Sequence, residues 1–462
     1  MPQNTTIMET LRILILAAGK SARMKSKYAK VLHRAGGRTL IEHVLRTARG
    51  LSPDISVVVG HSADQVKTAV SNVKFVDQKE QLGTGHAVLA ARDNFSGYSG
   101  DVLVMPGDAP LIGTATLEAF IKFHREGGFR ASVLTADADN PYGYGRIIRR
   151  NDHEVDSIVE HRDATPEILA IPEINSGIYV FTAPALFEAL TGIRNDNSQR
   201  EYYLTDVIGI LAAQNEKVGA FKAQSAEEIL GINTRQELAA VDQVIRRKKC
   251  ESLMAEGVTI VDPATTYIDV DVEIGPDSVI YPSVQIYGPT VIGEDATIHS
   301  FSRISNSKIG NRSIVFEGCV VEDSVLGEDV SVGPCAHLRL GTKLADTVKV
   351  GNFVEIKKSE LGAGTKSMHL AYLGDATIGK KVNIGAGVIT CNYDGVSKHP
   401  TIVEDGVFVG TDSQLIAPVR IGKDAYIAAG SSVTEDVPPE ALAIARGRQV
   451  NKEGWVKQRK KK

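Results

Sequence analysis

The stretch from Glu273 to Ser305, EIGPDSVIYPSVQIYGPTVIGEDATIHSFSRIS, carries isoleucine at every sixth position: Ile274, Ile280, Ile286, Ile292, Ile298 and Ile304. Neither the two-residue period of a strand nor the 3.6-residue period of a helix produces that spacing. The same period returns at Val332, Leu338, Leu344, Val350 and Ile356, and again at Val409, Leu415, Ile421, Ile427 and Val433. Gly follows the aliphatic residue in Ile274-Gly275, Ile292-Gly293, Ile378-Gly379 and Ile421-Gly422. Such a hexapeptide repeat predicts a parallel β-helix in which each face of the coil stacks one aliphatic side chain inward. Three separate runs in register argue against coincidence. The architecture also accounts for 43 glycines beside only 6% aromatic residues, a balance that favours tight turns and close backbone approach over large rings.

Working outward, two places break the period. AGTKSMHLAYLGDAT lies between Leu361 and Ile378, and CNYDGVSKHPTIVEDG between Thr390 and Val409; the second reads as an excursion from the coil, the usual place for a site on a rigid solenoid. After Val437 come Pro438-Pro439 and a final KQRKKK, a solvated basic tail. On the amino-terminal side, Thr234 to Glu256 reads as an amphipathic connector with Leu238, Val241, Val244 and Ile245 on one side and Arg246 to Lys249 on the other. Before it, short apolar strands (Ile13 to Ala17, Ile55 to Val59, Asp101 to Met105, Ala131 to Thr135) alternate with helices (Thr39 to Ala48, Gly85 to Arg92, Ala115 to His124). That alternation predicts a mainly parallel α/β sheet with ligands at the carboxyl ends of its strands. The expected organisation is an α/β domain over 1–233, a linker helix over 234–256 and an all-β repeat domain over 257–462.

A chain of 462 residues exceeds what one core supports. With 52 basic and 56 acidic residues, its net charge of −4 disfavours a protein that coats nucleic acid or an anionic membrane. No apolar run reaches the ~20 residues of a membrane span, and Met1 to Arg12 lacks a secretory pattern, so a cytoplasmic protein with small-molecule partners is expected. Cys250, Cys319, Cys335 and Cys391 show no metal or disulfide spacing and read as reduced thiols, mostly core or strand residues.

The first strand runs into LAAGKSARM, a glycine-rich turn able to offer backbone N–H groups to phosphate, with Lys20 and Arg23 adding charge. It is no Walker A loop, because Leu14 stands where the first Gly would be, and GxGxxG is absent. Further on come AKVLH with Lys30, EQLGTGHAV, VMPGDAPLI, GYGRI, EINSGIYVF, EYYLTDVI and GINT. Together these resemble the sugar-1-phosphate nucleotidylyltransferases. With the hexapeptide half, the chain from Ile13 to Trp455 resembles the bifunctional N-acetylglucosamine-1-phosphate uridylyltransferase/glucosamine-1-phosphate acetyltransferases. The resemblance implies a Rossmann-like amino-terminal domain and a left-handed β-helix. It places UTP or the UDP-sugar against Leu16, Ala17, Ala18, Gly19, Lys30, Gln78, Gly83, Thr84, Gly145, Glu160, Asn175 and Asn233, with Arg23 and Lys30 on the triphosphate. It also implies Mg²⁺, with Mn²⁺ as substitute, on Asp108 and Asn233. Ala29 before Lys30 and Pro106 before Asp108 depart from the commonest pattern, without removing a reacting group. Uridylyl transfer joins two polyanions, so cations and a hard metal ion held by one or two protein oxygens suit the chemistry.

In the second half FVEIKKSELG, KSMHLAYLGDATIG and NIGAGVITCNYDG carry the acetyltransferase resemblance. It implies His369 as general base, and Arg339, Lys357, Tyr372, Asn383 and Lys398 around glucosamine phosphate. Acetyl-CoA would lie on Ala386, Asn392, Tyr393, Thr411, Ala429 and Arg446, with Thr411 in place of the family's usual Ser. A base titrating near neutrality suits deprotonation of an attacking amine, and Glu355 is the expected carboxylate orienting His369. The resemblance implies a homotrimer with shared acetyltransferase sites. Two other readings compete: a nucleotidylyltransferase whose β-helix only assembles it, and a silent scaffold. Lys357, His369 and Tyr372 weigh against the first, since a spacer needs none of them, and the presence of Lys30, Asp108 and Asn233 weighs against the second.

Overall fold

The computed structural model describes residues 11–19 and 22–460. Most of the amino-terminal stretch, Lys20 and the last two lysines of the basic tail lie outside the described residues. The chain divides into two compact units, Met1–Ile245 and Arg246–Lys462.

The core of the first unit is a sheet with strands in the spatial order Val218–Lys222, Ala131–Asp137, Glu173–Thr182, Asp101–Pro106, Leu11–Ala17, Ile55–Val59, Lys74–Asp77. The four expected strands are present, and Leu11–Ala17 lies parallel between Ile55–Val59 and Asp101–Pro106. Their unbroken apolar runs follow from burial on both faces: Ile13, Leu14 and Ile15, Val57, Val58 and Val59, and Val102 to Met105 are all at 0% exposure. The helices fall at Leu40–Arg49, Thr84–Ala90 and Thr114–Glu126. The first is set by a capping box in which Thr39 and Glu42 satisfy each other's backbone N–H groups. The sheet is mainly parallel, as expected, with an antiparallel exception that the sequence did not announce. Glu173–Thr182 runs antiparallel to both its neighbours, and Arg146–Arg149 with Val155–Val159 adds an antiparallel arm. Its register slips between Asn175 and Tyr179 around Gly177 at φ 78°, where Ser176 Oγ donates to the Leu134 carbonyl (2.6 Å). That irregularity aims Asn175 and Tyr179 at the strand ends where the site lies.

The connector is a helix, Arg235–Ala255. The second unit stacks its strands into three parallel sheets of 11, 10 and 9 strands, the left-handed β-helix. Ile274 pairs with Ile292, Ile280 with Ile298 and Ile286 with Ile304, so a full coil takes eighteen residues, three hexapeptides. Beyond Ile292 some coils drop one residue: Ile292 pairs with Ile309 and Val350 with Ser367. The inward column continues, and only its spacing in the sequence slips. The interior ladder of Ile, Val and Leu forms one continuous core. Inward hydroxyls such as Ser278 are satisfied between coils, its Oγ donating to the Gly293 carbonyl (2.8 Å) and accepting from Ala296 N–H (3.0 Å), whereas Ser367 Oγ and Thr401 Oγ1 are buried without a partner.

The two breaks therefore differ. Residues 363–377 stay in the coil as strands Lys366–His369 and Tyr372–Gly374, with Leu361 still paired to Ile378. Ser367 replaces an aliphatic residue at the inward position, which hides the coil from a hydrophobic reading. The second break is an excursion: Thr377 pairs with Ile402, and residues 392–400 loop out. Asp394 holds that loop, accepting from Ser397 N–H (2.6 Å) and bonding His399 Nε2 (2.7 Å). Of the cysteines, Cys250 and Cys319 are buried, Cys391 is half-buried and Cys335 is exposed; all are free thiols. The basic tail forms a short exposed helix, Trp455–Arg459, where a solvated end was expected. Among the described residues, no helix is long and apolar enough to cross a membrane.

Candidate functional site

In the first unit, a cavity of about 480 Å³ opens at the carboxyl ends of Leu11–Ala17 and Asp101–Pro106. Leu16, Ala17, Ala18, Gly19, Lys30, Gln78, Gly83, Thr84, Asp108, Glu160 and Asn175 line it, as the sequence suggested. Gly145 stands behind Asn175, whose N–H donates to the Gly145 carbonyl (3.0 Å). Arg23 and Asn233 reach the site through Lys30. The Lys30 ammonium pairs with the Asp108 carboxylate and donates to Asn233 Oδ1 at 3.1 Å, while Arg23 Nη2 donates to that same oxygen at 2.8 Å. The Ile232 N–H, held by the Asp108 carbonyl (3.1 Å), draws the GINT turn onto the GDAPL turn. One carboxylate and one amide oxygen thus converge on a single cation, the donor set that suits a hard divalent ion retaining most of its waters. Among the described residues no cluster of three or more His, Cys, Asp or Glu offers an alternative metal site.

The opposite wall is built from polar groups in close register. Buried Gln78, which lines the cavity, donates through Nε2 to the Gly83 carbonyl (3.1 Å). Gly85 N–H donates to the Tyr202 carbonyl and Tyr202 N–H to the Leu82 carbonyl, both at 2.8 Å, and Leu204 N–H donates to Thr84 Oγ1 (3.0 Å). Thr205 Oγ1 donates to Glu160 Oε1 (3.1 Å). Burial pushes the Glu160 carboxyl above the usual range despite that bond, with Asp206, Asp163 and Glu201 adding like charge. Asn175 Nδ2 donates to Tyr179 Oη (2.7 Å). Gln81, Gly177, Tyr179, Glu201, Leu204 and Thr205 also line the cavity and escaped the residue assignment. The EQLGTGHAV, EINSGIYVF and EYYLTDVI segments held them, and membership of those segments was the signal available.

In the second unit, the geometry centres on one corner of the coil. Val350, Ser367, Ile384, Val409 and Ile427 stack inward in register. The residue two positions beyond each is Asn352, His369, Ala386, Thr411 and Ala429. These five form a line along the axis, one per coil. Asp412 N–H donates to the Ala386 carbonyl (2.7 Å), Gly430 N–H to the Thr411 carbonyl (2.8 Å), and Arg446 Nη1 to the Ala429 carbonyl (2.8 Å). The expected base and three of the six expected acetyl-CoA contacts are therefore collinear, and a fourth, Arg446, bonds the last residue of the line. His369 Nδ1 bonds Asn352 Oδ1 at 2.9 Å, and since an amide oxygen only accepts, Nδ1 carries the proton and Nε2 the lone pair. Glu355 does not orient His369: it lies on the next sheet, in register with His337 of the adjacent coil, and its carboxylate accepts from Nη1 of Arg339, two residues beyond His337, at 2.6 Å. Asn352, in a strand paired with that of His369, was missed because the coil contact joins residues seventeen apart in sequence.

Arg339, Lys357 and Tyr372 gather at that neighbouring sheet, and Lys398 of the 392–400 loop comes close to Lys357. Lys398 and Arg339 press the Lys357 ammonium below its usual range. Asn392 and Tyr393 begin the adjoining loop, and Asn392 Nδ2 donates to Asp375 Oδ2 (2.5 Å). Asn383 lies elsewhere, on the His369 sheet, paired with Lys366 and Phe408. Within one chain the structure therefore brings four of the five expected sugar-phosphate residues together, and leaves Asn383 apart from them.

Two family models match: the MobA-like NTP transferase domain over residues 13–206 and the GMPPB C-terminal domain over residues 251–359. The chain is 49% identical to Bifunctional protein GlmU of Koribacter versatilis (strain Ellin345), over 97% of this chain and 98% of that protein. It is 49% identical to the protein of that name from Pelobacter propionicus (98% and 100%) and 50% identical to that from Listeria monocytogenes serotype 4a (96% and 97%). With likeness at this level running through both units, the chain belongs to the family of the bifunctional GlmU proteins.

Proposed function

We propose that the chain makes UDP-N-acetylglucosamine in two steps. The 257–462 region transfers acetyl from acetyl-CoA to glucosamine 1-phosphate, and the 1–233 region transfers uridylyl from UTP to the acetylated product, releasing pyrophosphate. The observation that carries this reading is the presence on one chain of two unlike constellations. One is a cation and oxygen cluster in a nucleotide-sized cavity; the other is a histidine with a free Nε2 heading a line of small residues.

In the first step His369 Nε2 takes a proton from the sugar amine as it attacks the thioester carbon, while Asn352 fixes the ring. Arg339, Lys357 and Lys398 hold the sugar phosphate, whose charge relieves their mutual repulsion. Ala386, Thr411 and Ala429 present short side chains along which an extended donor can lie, with Arg446 at the far end. In the second step the backbone of Ala17, Ala18 and Gly19, with Gln78 and Gly83, holds the base, and Glu160 and Asn175 hold the sugar. Lys30 and Arg23 draw the phosphates in line. Asp108 and Asn233 would hold Mg²⁺, or Mn²⁺, which supplies charge stabilisation at the transferring phosphate. Lys30, which pairs with Asp108 and bonds Asn233, brings its ammonium beside these ligands, where it can meet phosphate.

The separation of Asn383 from Arg339 and Lys357 within one chain supports a homotrimer whose acetyltransferase sites take residues from neighbouring copies, and the cytoplasm is the compartment we assign it on its substrates. Incubation of the full chain with UTP, acetyl-CoA, glucosamine 1-phosphate and Mg²⁺, with products identified by mass, is expected to yield UDP-N-acetylglucosamine and free CoA. Absence of both products overturns the reading. An active monomer of 49.6 kDa by light scattering overturns the trimer.

A further inference from the structure

Beside the His369 line, the outward column of the same sheet reads Lys349, Lys366, Asn383, Phe408 and Tyr426, each paired in register with the next. Lys349 and Lys366 stand directly opposite on adjacent coils, both exposed. At three other places on the solenoid a cation reaching the next coil meets a carboxylate. Arg303 bonds Glu322 at 2.6 Å, Lys343 bonds Glu360 at 2.7 Å, and Arg312 bonds Asp329 at 3.0 Å. Lys349 and Lys366 have no carboxylate partner among the described residues. Like charges directly opposite on paired strands destabilise them, so this arrangement works against the coil that carries it.

We propose that Lys349 and Lys366 form a phosphate-binding pair serving acetyl transfer, an assignment that rests on the reading of His369 as its base. Lys366 lies three residues before His369 in the same strand, a Cα span of roughly 10 Å. The two ammonium groups issue from coils about 4.8 Å apart, a spacing at which one phosphate is shared by both. Both substrates of the step carry phosphate. The chain presents two groups of crowded cations: Lys357 with Lys398 and Arg339 at the neighbouring sheet and its loop, and this pair on the sheet of His369. Bound phosphate removes the repulsion, so the pair is stabilising only when the site is filled.

The test uses the full-length K366Q and K349Q/K366Q proteins, with K366R as conservative rescue and K343Q as a lysine variant on another face. KM and kcat for acetyl transfer are measured against glucosamine 1-phosphate and acetyl-CoA, with the affinity for each compound measured separately by calorimetry. The double variant is expected to raise KM for one substrate by about tenfold or more, the scale of a lost charge-assisted contact, with kcat within twofold. K366R and K343Q are expected to stay near wild type. A rise for glucosamine 1-phosphate assigns the sugar's phosphate, and a rise for acetyl-CoA assigns the donor's. Melting temperature is expected to hold or rise, since one stacked charge has gone; affinity lost together with a lower melting temperature marks a packing role and overturns the proposal. KM and affinity within twofold of wild type for both compounds overturn it too. A wild-type protein that releases no CoA, yet binds either compound through these lysines, refutes the reading of His369 and leaves the pair standing.

Discussion

Replacing Gly83 with Ala tests whether the cavity wall in the first unit is as tightly set as its contacts indicate. Gly83 has φ +114°, and a Cβ there would stand 2.5 Å from the Tyr202 carbonyl oxygen, 2.8 Å from its nitrogen and 3.0 Å from Glu201 Cβ. Backbone cannot rotate aside as a side chain can. Tyr202 is fixed by its N–H to Leu82 and its carbonyl to Gly85, both at 2.8 Å. The left-handed conformation costs about 1–2 kcal/mol for an L-residue, and losing those two bonds about 0.5–1.5 kcal/mol each, so the perturbation is worth roughly 2–5 kcal/mol. Expressed as global destabilisation of a domain of about 200 residues, that lowers the melting temperature by roughly 4–20 °C at ~2–4 °C per kcal/mol. Expressed locally, it moves Tyr202 and with it Leu204 and Thr205, which bond Thr84 and Glu160; a displacement of about 1 Å costs on the order of 10²-fold in rate. Differential scanning calorimetry and paired assays of pyrophosphate and CoA release distinguish the two outcomes. Pyrophosphate release is expected to fall at least tenfold while CoA release is unchanged. Wild-type pyrophosphate kinetics with an unshifted transition would refute the reasoning.

His369→Ala is expected to reduce acetyl transfer by about 10²- to 10⁴-fold while leaving uridylyl transfer from supplied N-acetylglucosamine 1-phosphate intact. Asn352→Ala should give a smaller loss, and the comparison checks that the amide only positions the ring. Asp108→Asn or addition of EDTA should suppress pyrophosphate release and spare CoA release; release insensitive to EDTA removes the metal assignment. Asp206 is pushed up to about 6, first by burial and then by Asp196 and Asp163. A folded-state value above the unfolded one means the folded state holds the proton more tightly, so stability falls as pH rises from about 4 to 6 and stays lower above that. Asp206→Asn should therefore stabilise the protein at pH 7 by about 1 kcal/mol, allowing for solvent screening of a half-exposed group, and give no gain at pH 4. Denaturant titrations at the two pH values check it.

The six-residue isoleucine period was legible because every stacked coil needs the same inward aliphatic residue. Its interruptions were harder to read, since a coil one residue shorter keeps its pairing while the sequence loses its period, and Ser367 occupies an inward position with no hydrophobic mark. In the first unit, the runs at Leu11–Ala17 and Ile55–Val59 announced buried parallel strands. The antiparallel insertion of Glu173–Thr182 did not announce itself, because strand direction is decided by the distant partners Val102 to Val104 and Ala131 to Val133. For the sites, residues adjoining glycine turns could be placed from sequence, whereas the His369–Asn352 and Arg339–Glu355 partnerships depend on which residues the coil stacks.

The corner line from Asn352 to Ala429 is also a ruler. Its graduations are whole coils of about 4.8 Å, and no single substitution can create half a graduation. The long coil shows the complementary freedom. It carries the extra residues of the 392–400 loop, yet Ile384 remains paired with Val409 directly beneath it. Insertions therefore widen the solenoid sideways without lengthening it. The reach between histidine and Arg446 changes only when an entire coil is gained or lost, so an acyl donor of different length calls for a change in the number of repeats, whereas a different acceptor can be met by redrawing one loop.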